Sequence, residues 1–183
     1  MTRRLFSLIP FSKQDAPTLT ISGTVDRRNN QFLVHYTLAG NVGEIFLPSS
    51  ATNPSRKDEL WRTTCFEFFI AIKDSPQYWE FNMSPSGDWN VYVMDAYRQV
   101  NMREEARIQQ LQFKVQNDTE CFSLEAALDL NAIITREESI EAGISAIICS
   151  GNDRESYWAL AHPHMQPDFH LRENFILEFP PNK

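Results

Sequence analysis

The stretch EFNMSPSGDWNVYVMDAYR, residues Glu80 to Arg98, decides the fold. At its centre, Ser84-Pro85-Ser86-Gly87 has proline at the second and glycine at the fourth position of a type I turn. A type I turn followed by a left-handed glycine makes a three-residue hairpin loop with a bulge, and that loop sets the register. Ser84 then faces Asp88, Asn82 faces Asn90 and Glu80 faces Tyr92. Trp79, Phe81 and Met83 fall on the opposite face with Trp89, Val91 and Val93, a near-continuous apolar slab that predicts a core. Turn chemistry and hydrophobic alternation reach this register independently, and a slip by one residue would turn every side chain to the wrong face. The polar face admits two readings. It is the solvated side of an antiparallel sheet, or it is the floor of a binding site that Glu67 joins from the preceding strand. Asn and Tyr favour the second, because they offer directional hydrogen bonds and a ring to pack against.

Strand patterns continue on both sides of the hairpin. LTISGTV and QFLVHYTLAG are strand-like and joined by RRNN, and CFEFFIAI alternates with period two. Glu44–Leu47 reads as a short strand that opens into a long irregular loop from Pro48 to about Leu60; loops of that length in compact domains are usually functional. ARIQQLQFKVQ, ECFSLEAAL, ISAIICSG, SYWALAH and NFILEF supply further strands. REESIEAG reads as a turn or short helical connection, and HPHMQPDFHLREN as a loop holding one helical turn. About ten short strands with little helix predict an all-β, single-domain antiparallel β-sandwich over residues 1–183, with a barrel as the alternative.

The composition of the 183 residues is that of an ordinary soluble domain, and the net charge is −7. The basic residues come in separated pairs, without the concentrated stripe a nucleic-acid footprint needs. Three cysteines, Cys65, Cys121 and Cys149, sit at wide spacing, which argues for free thiols in a reducing compartment over a disulfide framework. The apolar part of MTRRLFSLIPFSK is short, is broken by Pro10 and lacks a small-residue cleavage site, so it reads as an opening strand and not a signal peptide. No run is long enough to span a membrane. The expectation is a cytoplasmic protein with neither nucleic-acid nor membrane partner.

LWRTTCFEFFIAI, YWEFNMSPSGDWNVYVMDAYR and YWALAHPHMQPDFH resemble bacterial DOMON-like proteins, which are related to the DOMON superfamily and to family 9 carbohydrate-binding modules. The resemblance runs from about Leu19 to Phe179. It implies a DOMON-like β-sandwich, immunoglobulin-like in its layering, that binds sugars or haem, usually without catalysis. By motif position it marks Trp61 as the aromatic before the F-E-F strand, with Arg62 beside it, and Glu67 as that strand's acid. Asn82 becomes the polar residue of the next strand, Arg98 a basic residue of the site and Trp158 a second aromatic. Glu80 and Tyr92 on the hairpin, and His162 and His170 in the tail loop, complete the candidate set. The chemistry is consistent: a pyranose has apolar faces that stack on rings and a polar rim that needs fixed partners. Each residue also has a plainer reading. Trp61 could plug the sandwich rim, Arg98 could pair with Asp95 or Glu104, and Trp158 could be core.

The haem-binding branch implied by the resemblance uses Met with His or Lys, which nominates Met83, Met94, Met165, His162, His164 and His170. The register places Met83 on the apolar slab, where Met is an ordinary filler. AHPHMQPDFH could hold a single metal ion, but its spacing is loose. The reading therefore expects no cofactor, with haem or one metal ion as the alternative. A glycoside hydrolase using paired glutamates is a further alternative, since Glu67 and Glu80 could share a face. The principal expectation is non-catalytic binding of a small hydroxylated ligand, a carbohydrate.

Overall fold

The computed structural model describes residues 3–98, 102–118, 121–151 and 154–182. Among them are twelve strands: β1 (Arg4–Pro10), β2 (Leu19–Arg28), β3 (Gln31–Gly40), β4 (Cys65–Ile72), β5 (Tyr78–Met83), β6 (Trp89–Met94), β7 (Arg103–Glu104), β8 (Gln112–Asn117), β9 (Cys121–Asp129), β10 (Ile140–Ser150), β11 (Arg154–Ala159) and β12 (Leu177–Phe179). All pairings are antiparallel. One sheet runs β7-β6-β5-β4-β10-β11, with β12 added to β10; the other runs β2-β3-β9-β8. Strand β1 belongs to both. Arg4 to Leu8 pair with β2, and Ile9 and Pro10 pair with β11. The sheet is thereby folded over on itself into a β-sandwich.

The core fills the space between the two layers. Phe66 stacks on Phe122 with centroids 5.2 Å apart, and Phe32 on Phe68 at 5.4 Å, each pair joining opposite sheets. The hairpin has the register its turn chemistry dictates: Glu80 lies opposite Tyr92, Asn82 opposite Asn90 and Met83 opposite Trp89. Gly87 is left-handed at φ 95°, and its amide donates to the Ser84 carbonyl at 2.9 Å. The predicted slab of Trp79, Phe81, Met83, Trp89, Val91 and Val93 is in the core.

Two local expectations are corrected. Residues 44–47 do not form a strand. Val42–Glu44 is a turn of 3-10 helix, closed by the Glu44 amide on the Asn41 carbonyl at 3.0 Å and the Ile45 amide on the Val42 carbonyl at 3.2 Å, and only Ile45 bridges to Ser150. The second half of REESIEAG is strand, not turn. Ile140 and Ala142 are claimed from both sides, by Ile72 and Ile70 of β4 and by Phe179 and Leu177 of β12. The expected helical turn in the tail is present at Arg172–Asn174. None of the three cysteines forms a disulfide; Cys65 is buried, and Cys121 and Cys149 are half-buried. No helix among the described residues is long and apolar enough to cross a membrane.

What alternation does not anticipate is a third layer. Nearly every residue of β4, β5 and β6 is buried on both faces. On the outer face of this sheet, Phe69, Tyr78, Tyr92, Met94 and Ile147 form a second apolar cluster with Phe169 and Phe175 of the tail loop, and Trp61 and Tyr157 pack against it. Loops 54–62 and 160–176 therefore cover a sheet face that a plain sandwich leaves wet.

Candidate functional site

Strand pairing lines up the polar side chains of this face. One row crosses the sheet through Ser145, Glu67, Asn82 and Asn90; the next runs through Phe69, Glu80, Tyr92 and Glu104. The two halves of these rows have different fates.

The β6 half is sealed. The segment 55–57 runs along the free edge of β6: the Trp89 amide donates to the Ser55 carbonyl at 3.1 Å, and the Lys57 amide to the Trp89 carbonyl at 2.9 Å. Asp88, Asn90 and Tyr92 then find partners on this segment and on Asp58 beside it. Asp88 accepts from the Ser55 amide at 3.0 Å and the Lys57 ammonium at 2.8 Å. Burial opposes the Asp88 charge, but these donors prevail and hold its carboxyl below the usual range. The Asn90 oxygen accepts from Arg56 at 2.7 Å, and its amide donates to the Lys57 carbonyl at 2.9 Å. The Tyr92 hydroxyl donates to Asp58. The arginine is stacked over the Trp89 ring at 4.4 Å.

The β4–β5 half is open. Glu67 and Glu80 form the floor of a cavity of about 280 Å³, at the small end of the range for small-molecule sites. Trp61, Ile147, Tyr157 and Phe169 supply apolar walls, and Arg98, Met102, Pro167, Asp168 and His170 complete the lining. Asn82 lies beneath the floor. Its amide donates to Glu80 Oε1 at 2.8 Å, and Cys65 Sγ lies 3.8 Å from its oxygen. His170 stands at the edge, with Nδ1 3.0 Å from the Tyr78 hydroxyl and Nε2 3.9 Å from Glu80 Oε2. Burial, with Glu80 and Asp168 nearby, pushes the Tyr78 hydroxyl up to about 12, so it stays protonated.

The rim is a clamp between two loops. Asp168 accepts from Arg98 Nε at 3.0 Å, from the Tyr97 hydroxyl at 2.7 Å and from the His170 amide at 3.0 Å. Burial works against the Asp168 charge, yet Arg98 and Tyr97 hold its carboxyl below the ordinary value. Arg98 sits at φ 44°, in the left-handed region that non-glycine residues seldom occupy.

Glu67 is the least usual group of the site. It is 2% exposed. Burial first, and the neighbouring Glu80 second, push its carboxyl well above the ordinary range, which favours its neutral form. Ser145 offers one hydroxyl at 3.3 Å. Linkage gives a test. A carboxyl whose folded value lies above its unfolded value binds more protons in the native state, so its stabilising share is complete below the unfolded range near about 4.3 and is lost as pH rises toward the folded value. Glu67→Gln is neutral throughout. Its melting temperature should gain on the wild type steadily as pH rises above about 5 in thermal scans; parallel profiles would refute the assignment.

Five of the ten residues expected from sequence line this cavity: Trp61, Glu67, Glu80, Arg98 and His170. Asn82 and Tyr92 are buried behind it as supports. Arg62 points away, exposed, and pairs with Glu59 at 2.7 Å. Trp158 lies in the core between the sheets, its indole donating to Ser156 Oγ at 2.9 Å. His162 is distant from the floor, against the Ile9 carbonyl at 2.9 Å and the Phe11 ring. The wall aromatic of β11 is instead Tyr157, one residue before Trp158 and so on the other face. Period two in SYWALAH carries that signal once β11 is paired with β10, where Tyr157 meets Ile147. Phe169, Ile147, Met102 and Pro167 have no local signature in the sequence, whereas Asp168 belongs to the AHPHMQPDFH stretch as its carboxylate. Arg98 takes Asp168 as its partner, and Asp95 pairs with Arg103 at 2.8 Å. Met83 is in the core, Met94 is buried in the outer cluster and Met165 is 96% exposed. Among the described residues no three His, Cys, Asp or Glu side chains come together as a metal-binding set.

No protein-family model matches the chain, and no curated protein matches it. Solved structures share the fold. A Bacteroides uniformis protein described as a candidate carbohydrate-binding protein superposes with a TM-score of 0.69 at 13% identity, over 94% of this chain and 84% of that one. A family 9 carbohydrate-binding module from Caldicellulosiruptor kristjanssonii, in complex with cellotriose, gives a TM-score of 0.49 at 12% identity over 79% of this chain and 67% of the module. The same module with glucose gives 0.48 at 13% identity over 79% of this chain and 68% of the module.

Proposed function

We propose that this protein is a non-catalytic binder of a small hydroxylated ligand, a carbohydrate, in the cavity floored by Glu67 and Glu80. The observation that carries the reading is the combination in that one cavity of aromatic walls, Trp61 and Tyr157, with buried carboxyl groups pinned by their neighbours. Rings match the apolar faces of a sugar, and fixed polar groups match its hydroxyls. Glu67, whose burial favours the neutral form, can then offer a donor beside the acceptors of the floor. The likeness to the Bacteroides uniformis protein supports the reading at the level of fold, as does the resemblance of the W-R-x-T-C-F-E and E-F-N-x-S-P-S-G strings to DOMON-like proteins. Calorimetry with a panel of monosaccharides and short oligosaccharides tests it. Trp61→Ala should weaken the binding found by roughly tenfold, about 1.4 kcal/mol, while leaving the melting temperature nearly unchanged, since Trp61 is only half-buried. A panel in which nothing binds would remove the proposal.

One observation favours a second reading. A neutral Glu67 beside Glu80 has the form of an acid and base pair, as in glycoside hydrolysis. Turnover of aryl glycosides that Glu67→Gln abolishes would establish it, and absence of turnover in the wild type would dismiss it.

A further inference from the structure

We infer that the preferred ligand of the cavity carries an ammonium group, and is an amino sugar in preference to a neutral or acidic one. The inference rests on the carbohydrate reading above and sharpens it. Its basis is the distribution of charge around the cavity. Glu80 is 4% exposed, and its two oxygens are not equivalent. Oε1 accepts from Asn82 at 2.8 Å. Oε2 accepts no hydrogen bond from any described residue; its nearest basic neighbour is His170 Nε2 at 3.9 Å, beyond hydrogen-bond reach. An oxygen in the wall of a cavity that accepts no hydrogen bond from a described residue is an acceptor site for a ligand.

The nearby bases answer it only in part, since His170 Nε2 faces it at 3.9 Å without a hydrogen bond. Arg98 is committed to Asp168 at 3.0 Å, so the rim pair is neutral as a unit. His170 Nδ1 is committed to the Tyr78 hydroxyl at 3.0 Å. Burial and the neighbouring Glu80 push the Glu67 carboxyl well above the ordinary range, which favours its neutral form. The remaining lining includes three rings, Trp61, Tyr157 and Phe169, and an aromatic ring attracts a cation placed over its face. Aromatic walls above a carboxylate suit an ammonium and oppose a carboxylate-bearing ligand. Glu67 and the Asn82-backed Glu80 Oε1 remain for neighbouring hydroxyls.

Calorimetry on the intact protein with glucosamine, N-acetylglucosamine, glucose, glucuronate and choline decides the matter. Glucosamine is expected to bind at least tenfold more tightly than glucose and N-acetylglucosamine, with glucuronate weakest and choline well below glucosamine. Glu80→Gln should bring glucosamine to within about threefold of glucose. The comparison among ligands stands on the wild type alone, so it survives if that variant does not fold. Glucose binding as tightly as glucosamine would overturn the inference and leave the carbohydrate reading intact. Binding of choline with no sugar, or of none of the five, would overturn both.

Discussion

Trp79→Ala is expected to lower the free energy of unfolding by about 4 kcal/mol, near the middle of the range for large aromatics removed from a core. Trp79 is 1% exposed and sits on the hairpin face that packs between the sheets. Its indole also donates to Glu105 Oε2 at 2.9 Å, which anchors the segment after β7. In a chain of this size each kcal/mol moves the melting temperature by about 2–4 °C, so the fall should be roughly 8–16 °C in calorimetry. Trp79→Phe separates the two contributions. It keeps most of the buried area and loses the hydrogen bond, and Glu105 is still gripped by Arg107 at 2.7 Å. Burial opposes the charge on Glu105, but that grip and the indole together hold its carboxyl down at about 2. The phenylalanine variant should therefore cost only about 1–2 kcal/mol. Equal losses in the two variants would show that the hydrogen bond, not the packing, is what matters at this position.

Arg56→Ala is expected to cost about 3–4 kcal/mol, on the scale of breaking a buried charged network. The guanidinium donates to Asn90 Oδ1 at 2.7 Å and to the backbone carbonyls of Val91 and Glu105 at 3.3 and 3.2 Å, and it also reaches the Ile108 carbonyl. Removing it strands several acceptors at once and uncovers the Trp89 ring. Arg56→Lys keeps the charge but not the planar fork, and should recover less than half of the loss. Urea titrations of the three proteins measure this directly. Arg56 lies on the sealed half of the face, so sugar affinity per folded molecule should change less than threefold. A large loss of affinity with little loss of stability would move the ligand site toward β6.

The clamp at the cavity rim gives a smaller and more local expectation. Asp168→Asn keeps the shape but releases Arg98, whose side chain is 55% exposed. Stability should fall by no more than about 1 kcal/mol, as for other solvent-exposed pairs. Hydrogen exchange in loop 160–176 should rise, and any sugar affinity should fall with it. An unchanged exchange pattern would show that Tyr97 and Asn174 suffice to hold the loop.

Particular residues show how much the sequence by itself determined. The Ser84–Gly87 turn fixes a hairpin register through the local conformations of proline and glycine, and alternation assigns six of its side chains to the core; neither needs a distant contact. The same period-two reading places Glu67, Asn82 and Glu80 on one face. It goes astray where pairing on both flanks decides the outcome, as at residues 140–142, and where a local backbone turn closes, as at Asn41, whose carbonyl accepts from the Glu44 amide. What only the tertiary structure decided is whether the polar face is wet. Alternation reports which face a residue occupies, not what lies above it. The cover comes from segments 55–58 and 167–170, far apart in the chain and without periodicity. They seal Asp88, Asn90 and Tyr92 and leave Glu67 and Glu80 at the bottom of a cavity. Tyr157, and not Trp158, enters its wall for the same reason: the face of β11 is settled only when its neighbour is known.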